Sequence, residues 1–274
     1  MNRMGLRQEN LPENLPKNLP EKFRAQLFLT ALTIICVSSQ LQARVFDFNR
    51  ENFAVYVGGS FGNSNLGDGA YGLSSGWGTS TDRSVQTTTA AEFGFIFAAT
   101  RVNLLLGVEY LMPRDQTTVN GSDTAGNQLF SLHSTVTALI PQATLEFITY
   151  RGPNSRLFLG LGYGYAMVSL SNQYAMTAAG TTELGVGSYK ESGSATSSLY
   201  KAYLGWEFLF TDNVTLTFDA GYRYLIVPTI SASQSAIAIG GSESQGANLT
   251  NMDGSNRSLN LGGGFLGLSL RFYL

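Results

Sequence analysis

The chain has 274 residues, of which 13% are charged and 12% aromatic, with 31 glycines and a net charge of −2. Soluble domains carry about 25% charged residues, so this chain is poor in charge, and its slight acidity gives nucleic acid no purchase. The single cysteine, Cys36, excludes a disulfide framework and a cysteine-based metal site, and no cofactor or metal is expected.

Residues 1–24 carry a four-residue repeat, Asn10-Leu11-Pro12, Asn14-Leu15-Pro16 and Asn18-Leu19-Pro20. Proline at that spacing forbids a helix and predicts an unstructured extension. Lys22 and Arg24 then precede a mostly apolar run at 27–37 and a small-residue exit through Ser38-Ser39-Gln40 and Leu41-Gln42-Ala43. Residues 25–43 therefore read as the hydrophobic core and cleavage region of a secretory signal peptide, with residues 44–274 as the mature domain.

From there the chain alternates with the period of two that a strand imposes. Phe53, Val55, Val57, Gly59 and Phe61 share one face of a first strand; Ala54, Tyr56, Gly58 and Ser60 share the other. A loop rich in Gly, Ser and Thr fills 63–84. The second strand, 85–98, sets Phe93, Phe95 and Phe97 against Glu92, Gly94 and Ile96. After a sharp turn at Thr100-Arg101, the third sets Val102, Leu104, Leu106, Val108 and Tyr110 against Asn103, Gly107 and Glu109, and Pro113 opens a loop to about residue 128.

The fourth strand, 130–149, breaks parity. Val136, Ala138 and Ile140 hold one phase and Ala143, Leu145 and Phe147 the other, with Pro141 between them. A bulge at Pro141 would restore the phase, and it would place the only histidine, His133, inward with Ser131, Thr135 and Thr137. A turn at 151–154 leads to the fifth strand, where Leu157, Leu159, Leu161, Tyr163 and Tyr165 oppose Gly160, Gly162, Gly164 and Ala166. A long loop is expected at 171–194. A hairpin follows over 200–225, its outward faces Tyr200, Ala202, Leu204, Trp206, Phe208 and Phe210 on one arm and Val214, Leu216, Phe218, Ala220, Tyr222 and Tyr224 on the other. After a last loop from Pro228, the final strand places Leu266, Leu268, Leu270, Phe272 and Leu274 outward and Gly267, Ser269 and Arg271 inward.

Arms of about 11 residues match a tilted membrane-crossing strand. The face opposite the apolar one is mostly Gly, Ser, Thr and Tyr with isolated charges, which suits the inside of a narrow barrel whose outside meets lipid. Eight strands joined by strictly alternating long and short connections predict an all-β, eight-stranded antiparallel up-and-down transmembrane β-barrel, with four long external loops and three short periplasmic turns.

Three segments carry a family likeness. LFLGLGYGYA at 157–166, DAGYRY at 219–224 and SLRFYL at 269–274 resemble the small eight-stranded outer-membrane barrels, the class that includes the OmpA transmembrane domain, OmpX and OmpW. The resemblance implies a bacterial outer-membrane location, contact with outer-membrane lipid and lipopolysaccharide, and insertion by the barrel-assembly machinery. In that reading Leu270, Phe272 and Leu274 form the C-terminal assembly signal, with Leu274 where the family has Phe.

The inward charges are the candidate site. Glu146, Glu207, Asp219 and Arg271 form a layer near the short turns, and Glu92, Glu109, Lys201 and Arg223 a higher one. A charge facing a small lumen must be paired against its desolvation cost. The network is therefore expected to be structural, with a pore lining as the alternative. The expected role is non-enzymatic: structural, or surface interaction with an extracellular ligand through the loops, where Tyr71, Trp77, Arg83, Tyr174 and Tyr189 are the candidate anchors. A narrow OmpW-like channel for small or apolar solutes is the alternative. A lipid-modifying barrel enzyme using His133 and Ser131 is a remote third.

Overall fold

The computed structural model describes residues 46–48, 50–64, 70–72, 86–113, 119–123, 125–239 and 241–274. The repeat at 1–24, the signal segment at 25–43, Trp77 and Arg83 lie outside the described residues.

Strand formation follows the alternation. β1 (Phe53–Ser64), β2 (Gln86–Ala98) and β3 (Val102–Pro113) are followed by a short β4 (Val119–Ser122). Then come β5 (Gln128–Arg151), β6 (Ser155–Met176), the helix α1 (Ala178–Leu184), β7 (Tyr189–Thr211) and β8 (Val214–Val227). The short β9 (Ser231–Ala232), β10 (Ala236–Ala238), β11 (Gly241–Glu243) and β12 (Leu259–Asn260) precede β13 (Gly263–Tyr273). Eight of these pair antiparallel in a closed ring, β1-β2-β3-β5-β6-β7-β8-β13 and back to β1. Closure removes the free edges that a membrane would leave unsatisfied.

The short connections, 99–101, 152–154 and 212–213, share one end, called here the lower end; the long ones share the upper end. The outward faces run as the alternation predicts, and they are exposed: Leu204 at 66%, Leu266 at 65% and Phe93 at 62%. An apolar belt of that extent far exceeds what a soluble monomer presents to water and is a lipid-facing surface. Tyr163, Tyr200 and Tyr224 edge the belt above, with ring centroids 5.4 and 6.5 Å apart. Trp206, Phe208 and Phe218 edge it below. These are the two aromatic girdles of a spanning barrel.

Four expectations need correction. Pro141 makes no bulge: it pairs with Val108, and the β5–β6 register keeps one offset from Leu139↔Met167 to Gln142↔Gly164. The parity break is instead an inversion of environment. Below Pro141 the outward residues of β5 are apolar and the inward ones polar; above it Val136, Ala138 and Ile140 point inward into an apolar core. His133 accordingly lies exposed on the outer face of β5, in phase with Ser131, Thr135 and Thr137, rather than in the lumen. The expected loop at 171–194 is mostly strand. β6 and β7 climb paired to Tyr174↔Tyr189, and only α1 and its flanks bridge them. Thr177 caps α1 by accepting the Gly180 amide at 3.0 Å, and Gly185, at φ 68°, ends it.

Tyr71 and Tyr174, expected as exposed anchors, are buried in the upper core at 2% and 1% exposure. The Tyr174 hydroxyl donates to the Tyr71 carbonyl at 2.6 Å, and its ring stacks on Tyr189 at 4.4 Å. Above the lipid belt an aromatic side chain gains more from the core than from water, so composition alone misplaced these two.

Candidate functional site

Both layers of inward charge assemble across the lumen. In the lower tier Glu146 accepts from Arg271 Nη2 at 2.7 Å and Nη1 at 2.9 Å, from Asn103 Nδ2 at 3.0 Å and from the Tyr203 hydroxyl at 3.0 Å. Glu207 accepts from Arg156 Nε at 2.7 Å, Arg271 Nη1 at 3.1 Å, Thr215 Oγ1 at 2.5 Å and the Tyr273 hydroxyl at 2.8 Å. All of these side chains are buried. Each carboxylate thus has several donors, the condition under which a buried charge is tolerated.

In the upper tier Lys201 Nζ lies 3.1 Å from Glu92 and 3.8 Å from Glu109. Arg223 Nη2 pairs with Glu109, Gln142 Nε2 donates to Glu109 at 3.3 Å, and the Tyr56 hydroxyl donates to Glu92 at 2.6 Å. Phe158, Tyr203 and Phe265 lie between the tiers as one apolar cluster. The Arg271 guanidinium sits 5.0 Å from the Phe158 centroid and that of Arg223 5.4 Å from Phe265, distances at which a ring attracts a cation.

Asp219 differs from the other seven. It takes part in none of these ion pairs; its carboxylate lies against Gly267, where any Cβ would overlap it. It borders a cavity of about 40 Å³ shared with Glu92, Lys201, Tyr203, Arg223 and Arg271, room for two or three waters.

Among the described residues, apolar side chains pack above and below the two charge tiers. Above the upper tier, Ile140, Ala166, Val168, Leu199 and Leu225 belong to the large apolar core. Below the lower tier, Phe46 and Phe48 pack with Tyr273, and Phe48 also lies 4.6 Å under the Arg156 guanidinium. Arg156 is the main residue that sequence reading missed. It holds the inward parity of the fifth strand, but that strand was begun one residue later, at Leu157. Tyr56, Tyr203 and Tyr273 were missed as donors because on an inward face a tyrosine reads as filler.

A further ion pair lies in the upper tier of loops. Arg257 Nη1 is 2.5 Å from Glu191, and its Nη2 donates to the Thr250 carbonyl at 3.0 Å. Among the described residues no group of three or more His, Cys, Asp or Glu is placed to hold a metal ion.

The fold and its interior define a transmembrane eight-stranded β-barrel with a filled, ion-paired lumen. No protein-family model and no curated protein matches the sequence. Solved structures similar to it are outer-membrane barrels. Neisserial surface protein A is 14% identical with a TM-score of 0.34, over 81% of this chain and 97% of that one. Ail, the attachment invasion locus protein of Yersinia pestis, is 12% identical with a TM-score of 0.37, over 82% and 99%. The outer membrane protein OprG from Pseudomonas aeruginosa is 14% identical with a TM-score of 0.41, over 84% and 99%. At these identities and scores it is the closed ring of strand pairings, rather than the likeness, that establishes the fold.

Proposed function

We propose that this protein is a non-conducting barrel of the bacterial outer membrane, delivered by a cleaved signal peptide, with a structural or surface-interaction role exercised through its outer loops. The observation that carries the reading is the lumen: two tiers of paired charge held between an apolar core above and Phe46, Phe48 and Tyr273 below. A narrow pore needs a continuous wet path, whereas side chains fill this interior. In this reading Glu92, Glu109, Glu146, Lys201, Glu207, Asp219, Arg223 and Arg271 are structural. Leu270 and Phe272, whose strand partners are Val57 and Val55 on the first strand, form with Leu274 the segment that the assembly machinery reads before the ring closes. The role is non-enzymatic: the barrel wall separates His133 on the outer face from the carboxylates of the lumen.

Single-channel recording of the refolded protein in planar bilayers tests this. The expected record is silent from a barrel that is folded and heat-modifiable on gels. Steady ion-selective steps that change when Lys201 or Glu109 is neutralised would replace this reading with a narrow channel.

A further inference from the structure

A polar row crosses the apolar core above the lumen. Ser134 on β5, Asn172 on β6 and Glu191 on β7 are cross-strand partners on the inward face, and all three are buried. Side chains directly opposite on neighbouring strands stand about 4.5–5.5 Å apart at Cβ. The flanking inward positions Leu132, Val136 and Leu170 belong to the apolar core, so the row interrupts it. A fourth member comes from the loops. The β10–β11 hairpin is held on β7 by the Ile239 amide, which donates to the Tyr189 hydroxyl at 3.2 Å. It carries Glu243, also buried, and the charges that act on the Glu243 carboxylate are Glu191 and Arg257.

These side chains are rich in acceptors and short of donors. Asn172 uses its amide nitrogen on the Ala70 carbonyl at 3.4 Å. Among the described residues its Oδ1, the Ser134 hydroxyl, one oxygen of Glu191 and both oxygens of Glu243 have no hydrogen-bond partner. Arg257 Nη1 faces Glu191 head on, 2.5 Å from each oxygen, and so compensates one of the two carboxylates. The negative charge of Glu243 is left in the core without a cation of its own. Water satisfies an amide oxygen, but a buried carboxylate calls for a positive charge. A proton supplies it up to about pH 7. Above that the row calls for a metal cation.

We propose that Glu191, Glu243 and Asn172 form a calcium site that clamps the β10–β11 hairpin to the barrel wall. Calcium takes about six to eight oxygens in irregular arrangements, from carboxylates, amide oxygens, backbone carbonyls and water. Two carboxylates and an amide oxygen start such a shell, and neutral oxygens complete it. Magnesium gives up its water reluctantly and demands a regular octahedron, so it suits this set less well. The ligands come from two elements, β7 with its neighbour β6 and the hairpin, so an ion held between them ties the two together. The site lies above both charge tiers and stands whether or not the lumen conducts.

The test uses the full protein refolded in detergent micelles, stripped with a chelator and held at pH 8. Amide exchange over 236–243 is compared in calcium chloride, in magnesium chloride and in sodium chloride of matched ionic strength. Calcium at about ten times its dissociation constant should slow exchange there about tenfold, with little effect from magnesium or sodium. Terbium, which substitutes for calcium, should show emission sensitised by Tyr174 and Tyr189, whose hydroxyls feel the Glu191 charge, and calcium should displace it. Glu243→Gln should show no response to calcium while remaining a heat-modifiable barrel. Equal exchange in all three solutions would mean that water and protons alone serve the row. Equal slowing by magnesium or sodium would mean screening rather than a site. A calcium response that survives in Glu243→Gln would place the ion elsewhere. Any of these three results overturns the proposal.

Discussion

Arg271 and Glu146 meet across the lower lumen in a two-bonded fork, Nη2 to Oε1 at 2.7 Å and Nη1 to Oε2 at 2.9 Å, with both side chains at 3% exposure or less. Arg271 Nη1 also reaches Glu207 at 3.1 Å, so one guanidinium holds two carboxylates from different walls of the barrel. A planar cation serves such a site in a way that a lysine cannot. Arg271→Met leaves buried Glu146 without a cation and Glu207 with Arg156 alone, at an expected cost of about 3–5 kcal/mol. Adding Glu146→Gln removes the uncompensated charge and should recover most of the loss. Urea unfolding in detergent micelles, followed by tryptophan fluorescence, measures both. If single and double variants lose equally, the fork is not what couples the walls.

Phe158 and Tyr203 lean over each other's strand in a reciprocal way. Phe158 is paired with Gly205 and Tyr203 with Gly160, and each ring occupies the space where the facing glycine would carry a Cβ. The two rings meet edge to face at 6.1 Å. The glycines are therefore what admits the aromatic layer between the charge tiers. Gly205→Ala must push a ring that Tyr203 and Arg271 hold from other sides, at an expected cost of about 1–3 kcal/mol. In the double variant Gly205→Ala/Phe158→Leu the clash disappears, so a double-mutant cycle should give a coupling of opposite sign to the single loss. Additive losses would mean that the ring moves freely.

How far the sequence could be read depends on which environment a strand passes through. Within the lipid belt one rule governs, apolar out and small or polar in, so Leu157 to Ala166 declared both faces. The same strands obey the reverse rule above the belt. A reader holding the first rule meets Val136, Ala138 and Ile140 and infers a slip of phase, although the pairing of Val108 with Pro141 keeps the register intact. His133 was misplaced for that reason alone. The layers of lumen charge were legible because parity and distance from the short turns fix both coordinates of a residue on a barrel. Arg156 escaped only because its strand was begun late. The β10–β11 pair and the burial of Tyr71 lie in long connections, where contacts come from residues distant in sequence and no local period marks them.

Lys201 separates the structural from the conducting account of the upper tier. Its ammonium serves Glu92 and Glu109 together, with 6% of the side chain exposed. Lys201→Met leaves Glu109 to Arg223 and Gln142, and Glu92 to the Tyr56 hydroxyl. The expected outcome is a loss of about 2–4 kcal/mol in urea unfolding with no conductance gained or altered. Unchanged stability combined with new or altered current would count against the filled lumen.

Glu243, in the long connection between β8 and β13, supplies a pH dependence confined to that loop. It ends β11, is 5% exposed, and neither carboxylate oxygen has a hydrogen-bond partner among the described residues. Burial, reinforced by the negative charge of Glu191 and opposed by Arg257, pushes its carboxyl up from 4.5 to about 7. Below pH 4.5 the group is neutral whether the hairpin is docked or released, so it gives no pH dependence there. Between 4.5 and 7 the released form ionises while the docked form keeps its proton, and docking weakens as pH rises. Above 7 both forms are charged and the weakening levels off. Amide exchange over 236–243, corrected for intrinsic chemistry, is expected to quicken about tenfold from pH 4.5 to 8, which corresponds to about 1.4 kcal/mol. Glu243→Gln cannot ionise, so its corrected exchange should stay flat at the slow value. A glutamine variant that quickens as the wild type does would place the pH sensitivity in another group.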